Sequence, residues 1–410
     1  MKKILTILSF LALCLACSKP QTSGKPDGGD VPEPPAEATA QTPGFSIFYK
    51  GGTMSFASYF EDAGLVYREN GEPADPYASM KAHGANCVRL QLDRAAFAKK
   101  DGQTIDWQTM DRVIEDAKRA LAQGLEIFLT MKPDYDIYGS GATSHNNLPG
   151  QWANLNETAL GQALYDWVYD SLAELAGEGI FPAIVAVGNE VSVGFLKPAA
   201  DAPVDNGRTG RLLKYAHQAV RDYAEDWNPA CLSAVHVENP SRAEWSIRQI
   251  EAAGAKDYDI VAISYYPGSA IGHSLPDGKS VKDLAGAFGD KKMMIVETAY
   301  SFTTGSVDGK WMGDNCNNAY NYPDWGADSE NLVNYTPAKG REWLGNLAKQ
   351  IRDGGGAGLI TWGTESLPAD GVYTYPADWA CGSTWENNSY WDFTDSNNMH
   401  EGADWMKDIE

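Results

Sequence analysis

From Phe45 to the end of the chain, short apolar runs alternate with longer amphipathic segments. Residues 45–54, 86–92, 125–131, 183–189, 231–237, 259–266, 292–297 and 357–362 read as strands. Helical periodicity fills the stretches between them, most clearly at 106–123, 157–177, 207–227, 240–253 and 337–353. Eight strands with intervening helices predict an α/β fold, a (β/α)8 TIM barrel with a parallel sheet. An open doubly wound sheet is the rival. It usually begins with a Gly-rich phosphate loop, and none follows the first strand here. Two stretches, 132–156 and 300–335, break the alternation; each follows a strand and is rich in Gly, Asn, Asp, Tyr and Trp. Both are expected as long loops on the C-terminal face of the barrel, where barrel proteins hold their substrates. Neither an internal repeat nor a second domain is evident.

The pattern before Phe45 is different. Lys2 and Lys3 precede an apolar stretch, Ile4 to Ala16, that is too short to span a bilayer with ease and ends Leu15-Ala16-Cys17. This resembles a bacterial lipobox, in which Cys17 becomes the acylated first residue; an uncleaved membrane anchor is the alternative. Cys14 fits less well because bulky Leu13 precedes it. Residues 17–43 are rich in Pro, Gly, Ser, Thr and Ala, with scarcely a large apolar side chain to offset the entropy of ordering. The expected organisation is therefore a signal peptide at 1–16, a flexible linker at 17–43 and one domain at 44–410, exported and tethered to the cell envelope.

Composition narrows the partners. Of the 410 residues 43% are hydrophobic, so a full core can form without disulfide staples. The 55 acidic residues outnumber 33 basic ones, and the basic ones form no stripe, which argues against nucleic acid. A neutral polymer suits this surface better. The 13 Trp and 20 Tyr include candidates for sugar-stacking faces, although most are expected to fill the core. Beyond the leader, Cys87 and Cys231 read as buried free thiols, and Cys316 and Cys381 lie in loop-like sequence where an oxidising compartment permits a disulfide. A monomer is expected.

Two apolar strands end abruptly in a carboxylate. Phe181-Pro-Ala-Ile-Val-Ala-Val-Gly188 runs into Asn189 and Glu190, and Lys292-Met-Met-Ile-Val runs into Glu297 and Thr298. Facing each other at the catalytic end of a barrel, Glu190 and Glu297 have the chemistry to cleave an acetal, one donating a proton and the other attacking the anomeric carbon. The dipeptide alone means little. It recurs at Asn156-Glu157, where it opens a helix as a cap and an early acid.

Other strand ends supply supporting candidates for substrate binding. Arg89 is placed to hold the nucleophile ionised, or else pairs with a structural acid. Asn189 precedes the first carboxylate, Tyr265 and Tyr266 end strand 6, and one of that pair is expected merely to pack. His236 on strand 5 reads equally as a core residue. Trp362 at the end of strand 8 reads as a sugar platform, with a barrel plug as the alternative. No cofactor is required, and no His/Glu triad with zinc spacing occurs. Asp308, Asp314, Asn315, Asn317 and Asn318 form an oxygen-rich loop that would suit calcium, but these are also ordinary loop residues. Gly354-Gly-Gly356 reads as a helix C-terminal turn, because a strand follows it.

These residues resemble glycoside hydrolase family 53, the endo-β-1,4-galactanases of clan A. Gly188-Asn-Glu-Val-Ser-Val-Gly-Phe-Leu196 is similar to the acid/base motif, and Val296-Glu-Thr-Ala-Tyr300 to the nucleophile motif. Asp259-Ile-Val-Ala-Ile-Ser-Tyr-Tyr-Pro267, Lys50-Gly51, Gly64, Tyr67, Gly84-Ala-Asn-Cys-Val-Arg-Leu90, Trp385-Glu-Asn387 and Trp391-Asp-Phe393 extend the likeness over nearly the whole domain. The resemblance implies a retaining endo-glycoside hydrolase of β-1,4-galactan or arabinogalactan, with Glu190 as acid/base and Glu297 as nucleophile. Departures fall where the family lines its sugar subsites. Thr53 replaces an Asp, Gln91 an Arg and Asp93 a Trp; Met131-Lys-Pro-Asp134 stands for His-Tyr-Ser-Asp, Lys197 for Trp, and Gly268-Ser-Ala-Ile for Trp-His-Gly. Another β-glycan, or an inactive carbohydrate-binding lipoprotein, therefore stands as the alternative reading.

Overall fold

The computed structural model describes residues 47–94, 97–98, 104–133, 148–199, 201–267, 273–303, 335–368 and 385–410. The leader, Cys17, the linker, the Asp308 to Asn318 loop, Cys316, Cys381 and Gly268-Ser-Ala-Ile lie outside the described residues.

Eight strands form the closed barrel: β1 (Tyr49–Thr53), β2 (Cys87–Asp93), β3 (Glu126–Lys132), β4 (Ile184–Val187), β5 (Leu232–Val237), β6 (Ile260–Ser264), β7 (Lys292–Glu297) and β8 (Gly358–Thr361). Each pairs in parallel with its neighbours in chain order, and β8 closes on β1. The strands read as apolar runs because both of their faces are covered. One parity, including Cys87, Phe128, Ile184, Ala234, Met294 and Ile360, fills the barrel interior. The other, including Val88, Leu129, Val185, Val235 and Ile295, packs outward in the cluster shared with the helices. Continued upward, the inward parity carries Arg89, Gln91 and Asp93 on β2 and Thr130 and Lys132 on β3 toward the C-terminal mouth. Cys87 and Cys231 are buried free thiols.

The surrounding helices are α1 (Ala57–Asp62), α2 (Pro76–Ala82), α3 (Met110–Ala122), α4 (Glu157–Gly177), α5 (Asn206–Asp226), α6 (Pro240–Ala252), α7 (Val281–Ala285) and α8 (Pro337–Asp353). Their starts follow capping chemistry. Asn156 Oδ1 accepts the Ala159 N–H at 3.0 Å, Asp205 and Thr336 cap α5 and α8, and Asn239 caps α6 ahead of a proline. The second Asn-Glu is thus a helix cap. At the far end of α8, Gly355 takes φ +85 and the Gly356 N–H returns to the Ile351 carbonyl, turning the chain into β8.

Three differences from the sequence reading have simple causes. Helices α1, α2 and α7 have six, seven and five residues, too few to display a helical period. Helix α3 begins at Met110 rather than near 106, because the Gln108 carbonyl is drawn down to accept the Asp93 N–H at 2.8 Å. A small sheet, in the order Trp391–Asp392, Asn398–Met399, Arg68–Glu69, Glu72–Pro73, ties the C-terminal segment to the β1–β2 connection. Its two-residue strands carry no pattern that sequence can show.

Two buried acids make stability depend on pH. Asp116 on α3 accepts from Ser58 Oγ at 2.9 Å, and Glu365, beyond β8, accepts the Phe56 N–H at 3.2 Å; each is 1% exposed. Burial is the main cause that pushes Asp116 up to about 7 and Glu365 up to about 8. The folded chain therefore holds protons that the unfolded chain releases near pH 4. Stability is expected to be greatest at acid pH and to decline as pH rises toward 8, with a slope of up to about 1.4 kcal/mol per pH unit for each group. Thermal melts between pH 5 and 8.5 test this, and Glu365→Gln should flatten the slope. A melting temperature that rises across that range would contradict it.

Candidate active site

Arg89 is the hub. It is fully buried inside the barrel, and its planar guanidinium reaches three other strands or strand ends. Nε donates to Thr130 Oγ1 on β3 at 2.9 Å, Nη2 to Asn189 Oδ1 after β4 at 2.7 Å, and Nη1 to Glu297 Oε1 on β7 at 2.8 Å. A flexible ammonium would not span these directions at once. The Phe128 and Trp362 rings lie 6.0 and 5.8 Å from the guanidinium carbon, enclosing the cation in aromatic surface.

Glu297 is 7% exposed, so it reaches the cleft but is mostly desolvated. A register shift between Ile263 and Ser264 sets Ser264 opposite Glu297, letting β7 aim this carboxylate after the inward Val296. Its second oxygen, Oε2, accepts from the Tyr266 hydroxyl at 3.2 Å. Burial is the largest influence and raises its pKa; Arg89 pulls the other way, the Glu190 charge raises it, and the Tyr266 hydrogen bond lowers it. Arg89 bonds both Glu297 and Asn189, the residue before Glu190, so the two carboxylates flank one guanidinium at the mouth.

Glu190 stands on a tight turn. Its φ of 49° and ψ of 47° are left-handed, a conformation that costs a side-chain-bearing residue about 1–2 kcal/mol. Just before it, Gly188 has φ +87, and a Cβ there would stand 2.4 Å from Val191 Cγ1. The turn is braced by Val193 N–H to the Glu190 carbonyl at 3.1 Å and by Glu238 N–H to Ser192 Oγ at 2.9 Å. Half-buried Glu190 is thereby held at the mouth by backbone geometry, which is where strain commonly serves a function.

The remaining sequence candidates separate. Tyr266 touches the Glu297 carboxylate directly, and its backbone N–H donates to His273 Nδ1 at 3.2 Å. Tyr265 donates its backbone N–H to the Glu297 carbonyl at 2.7 Å, and its side chain is buried. His236 is fully buried beneath the cleft, with Nε2 2.9 Å from Ser264 Oγ, so it sits below the layer a ligand can touch. Trp362 is 7% exposed and meets Trp385 edge-on at 6.3 Å, and Trp385 lies 5.7 Å from Tyr266. Thr130 and Trp385 belong to the site but were not singled out for it from sequence. Thr130 has the inward parity of β3, a usable signal; Trp385 enters from a late loop and has none beyond the closing motif. Among the described residues no cluster of His, Cys, Asp and Glu is arranged to hold a metal ion.

At the same mouth a second network spans β2 and β3. Lys132 Nζ contacts Asp93 Oδ1 at 2.9 Å and Gln108 Oε1 at 2.7 Å, Trp107 Nε1 donates to Asp93 Oδ2 at 3.3 Å, and Gln108 Nε2 donates to Gln91 Oε1 at 2.9 Å.

The family model "Glycosyl hydrolase family 53" matches residues 49–401. An arabinogalactan endo-β-1,4-galactanase from Cellvibrio japonicus is 30% identical over 360 residues, covering 86% of this chain and 88% of its own. The endo-β-1,4-galactanase of Bacillus subtilis is 31% identical over 268 residues, 64% of this chain and 59% of the relative. In three dimensions, the Ignisphaera aggregans GH53 catalytic domain superimposes with a TM-score of 0.70 at 24% identity, covering 88% of this chain and 95% of that domain. With its closed parallel barrel, its paired carboxylates at the strand ends and this match over most of its length, the chain belongs to glycosyl hydrolase family 53 and is a glycoside hydrolase.

Proposed function

We propose that the chain is a retaining endo-β-1,4-galactanase, with Glu297 as nucleophile and Glu190 as acid/base. The observation that carries this reading is the buried Glu297 carboxylate, held at one oxygen by Arg89 and at the other by Tyr266, within the field of Glu190. Glu297 attacks the anomeric carbon as the glycosidic C–O bond breaks, and Glu190 gives its proton to the departing oxygen. The product is a glycosyl ester on Glu297. Glu190, now a carboxylate, takes a proton from water, the water oxygen displaces Glu297, and both carboxyls return to their starting states. Arg89 and Tyr266 stabilise the departing carboxylate of that second step. Asn189 lies beside the reacting sugar, and Trp362 with Trp385 supplies an aromatic wall for its apolar face.

The galactan assignment is supported by the names borne by the Cellvibrio japonicus and Bacillus subtilis relatives. Proton NMR of a β-1,4-galactan digest tests the whole reading: the first reducing ends formed should be β-anomers and should arise from internal cleavage. For retention the two carboxyl groups should stand about 5–5.5 Å apart. Initial α-anomers would overturn the double displacement, and binding without products would favour the inactive carbohydrate-binding reading.

The same proposal places the enzyme on the cell envelope as a lipoprotein acylated at Cys17, supported by the Leu15-Ala16-Cys17 end of the apolar leader. Metabolic labelling with a fatty-acid probe should mark the wild type and not Cys17→Ala; equal labelling of both would remove Cys17 from the anchor.

A further inference from the structure

Tyr266 reaches Glu297 from just beyond the end of a strand. Strand β6 stops at Ser264, which pairs with Glu297 as the last rung of its ladder with β7, and the Tyr265 N–H bonds back to the Glu297 carbonyl. The next peptide lies past the ladder, yet Tyr266 is 2% exposed, and a buried N–H needs an acceptor. His273 supplies it. Its Nδ1 accepts the Tyr266 N–H at 3.2 Å, its backbone forms an isolated bridge with Pro267, and its ring lies 5.7 Å from the Tyr266 ring at a tilt of 46°. The hydroxyl of the residue so held donates to Glu297 Oε2.

The two ring nitrogens of His273 have different tasks. Because Nδ1 accepts, the ring hydrogen is on Nε2, which lies 3.6 Å from Glu238 Oε1 and has no hydrogen-bond partner among the described residues. Glu238 follows β5, and its own N–H donates to Ser192 Oγ in the turn that carries Glu190. The His273 side chain is 1% exposed, so an apolar ring would fill the space at less cost; what an apolar ring lacks is the acceptor at Nδ1.

We propose that His273 is a positioning residue: by accepting the Tyr266 N–H it fixes the Tyr266 hydroxyl on Glu297, and so assists departure of that carboxylate from the glycosyl ester. The inference rests on the double-displacement reading of Glu297. Charge decides which step is served. As the bond between the sugar and Glu297 breaks, its electron pair returns to the carboxylate, and a donor at Oε2 stabilises the growing negative charge. In the first step the same carboxylate loses charge, and the donor gives no help there.

The experiment compares His273→Gln and His273→Asn in the full domain. The Asn amide oxygen takes the place of Nδ1, whereas Gln puts its polar end near Nε2 and leaves the Tyr266 N–H without an acceptor. With an activated aryl β-galactobioside, whose good leaving group makes the first step fast, the second step limits turnover. His273→Gln should then lower kcat about 10-fold and KM in proportion, with kcat/KM kept and a burst of aryl alcohol, as expected for weakening one hydrogen bond to a charged group. His273→Asn should recover most of that kcat. In a Tyr266→Phe background His273→Gln should cost nothing further, because both changes remove the same contact.

A readout independent of turnover is the titration of the Glu297 carboxyl, followed by carbon-13 NMR with the signal assigned by its absence in Glu297→Gln. Arg89, Glu190 and Tyr266 face that carboxyl, and loss of the Tyr266 donor should move its midpoint up in His273→Gln. An unmoved midpoint overturns the proposal whatever the activity. So does a kcat loss that is equal in the Asn and Gln variants and follows their melting temperatures, or one that multiplies with that of Tyr266→Phe. If the wild type forms no product yet the midpoint moves, the double-displacement reading fails while the positioning of Tyr266 by His273 stands.

Discussion

Glu297→Gln is expected to lower kcat on galactan by about 10,000-fold while the fold survives, since the amide keeps the shape of the carboxylate but cannot form the glycosyl ester. The amide oxygen still accepts from Arg89, so the circular dichroism spectrum should match the wild type. A sharper version separates the two roles. Glu297→Gly with an activated aryl glycoside and azide should give the α-glycosyl azide, because a small anion occupies the vacated space and reacts by one inversion. Glu190→Ala under the same conditions should give the β-azide, because azide then intercepts the ester on Glu297 in place of water. Exchange of these two products would exchange the assignments; undiminished turnover by Glu297→Gln would remove Glu297 from the mechanism.

The second large effect is expected at Arg89. Removing one member of a buried ion pair typically costs about 3–5 kcal/mol, and Arg89→Met strands Glu297 while also depriving Asn189 and Thr130 of a donor. Urea unfolding should show that loss. The catalytic consequence has a defined sign. Arg89 is the influence that opposes burial at Glu297, so without it the Glu297 pKa rises further. Attack needs Glu297 ionised, whereas proton donation needs Glu190 protonated, so the acid limb of kcat/KM should move to higher pH and the bell should narrow. The deficit should be largest near pH 5 and smaller near pH 7. Arg89→Lys should restore stability better than activity, because an ammonium is a point charge without the guanidinium fork. An acid limb identical to wild type would mean that Arg89 acts on the fold and not on the nucleophile.

These predictions use residues of very different visibility in the sequence. Glu190 and Glu297 were legible because an apolar strand that ends in a carboxylate is a local signal, and burying that acid needs a reason. Arg89 was legible on the same ground, as a lone cation inside an apolar strand. Its partners at Thr130 and Asn189 were not, since they depend on which strands lie side by side and in what register. His236 shows the limit in reverse. A histidine on an inward strand position looks like a ligand contact, yet whether it reaches the mouth or stops below it depends on its height in the barrel.

The sequence by itself determined the eight strands, the long helices, the Asn156 cap and the carboxylates that end two strands, because each of these is written in a stretch of a few residues: a run of apolar side chains, a capping Asn, an acid at a strand end. Only the tertiary structure decided that the Tyr266 hydroxyl meets the Glu297 carboxylate, that Trp385 joins Trp362, and that Asp93 and Lys132 form one buried pair at the mouth. Those facts arise from closure of the barrel. Closure sets residues far apart in the chain at hydrogen-bonding distance, and one-residue shifts such as that between β6 and β7 decide which of two adjacent side chains faces inward.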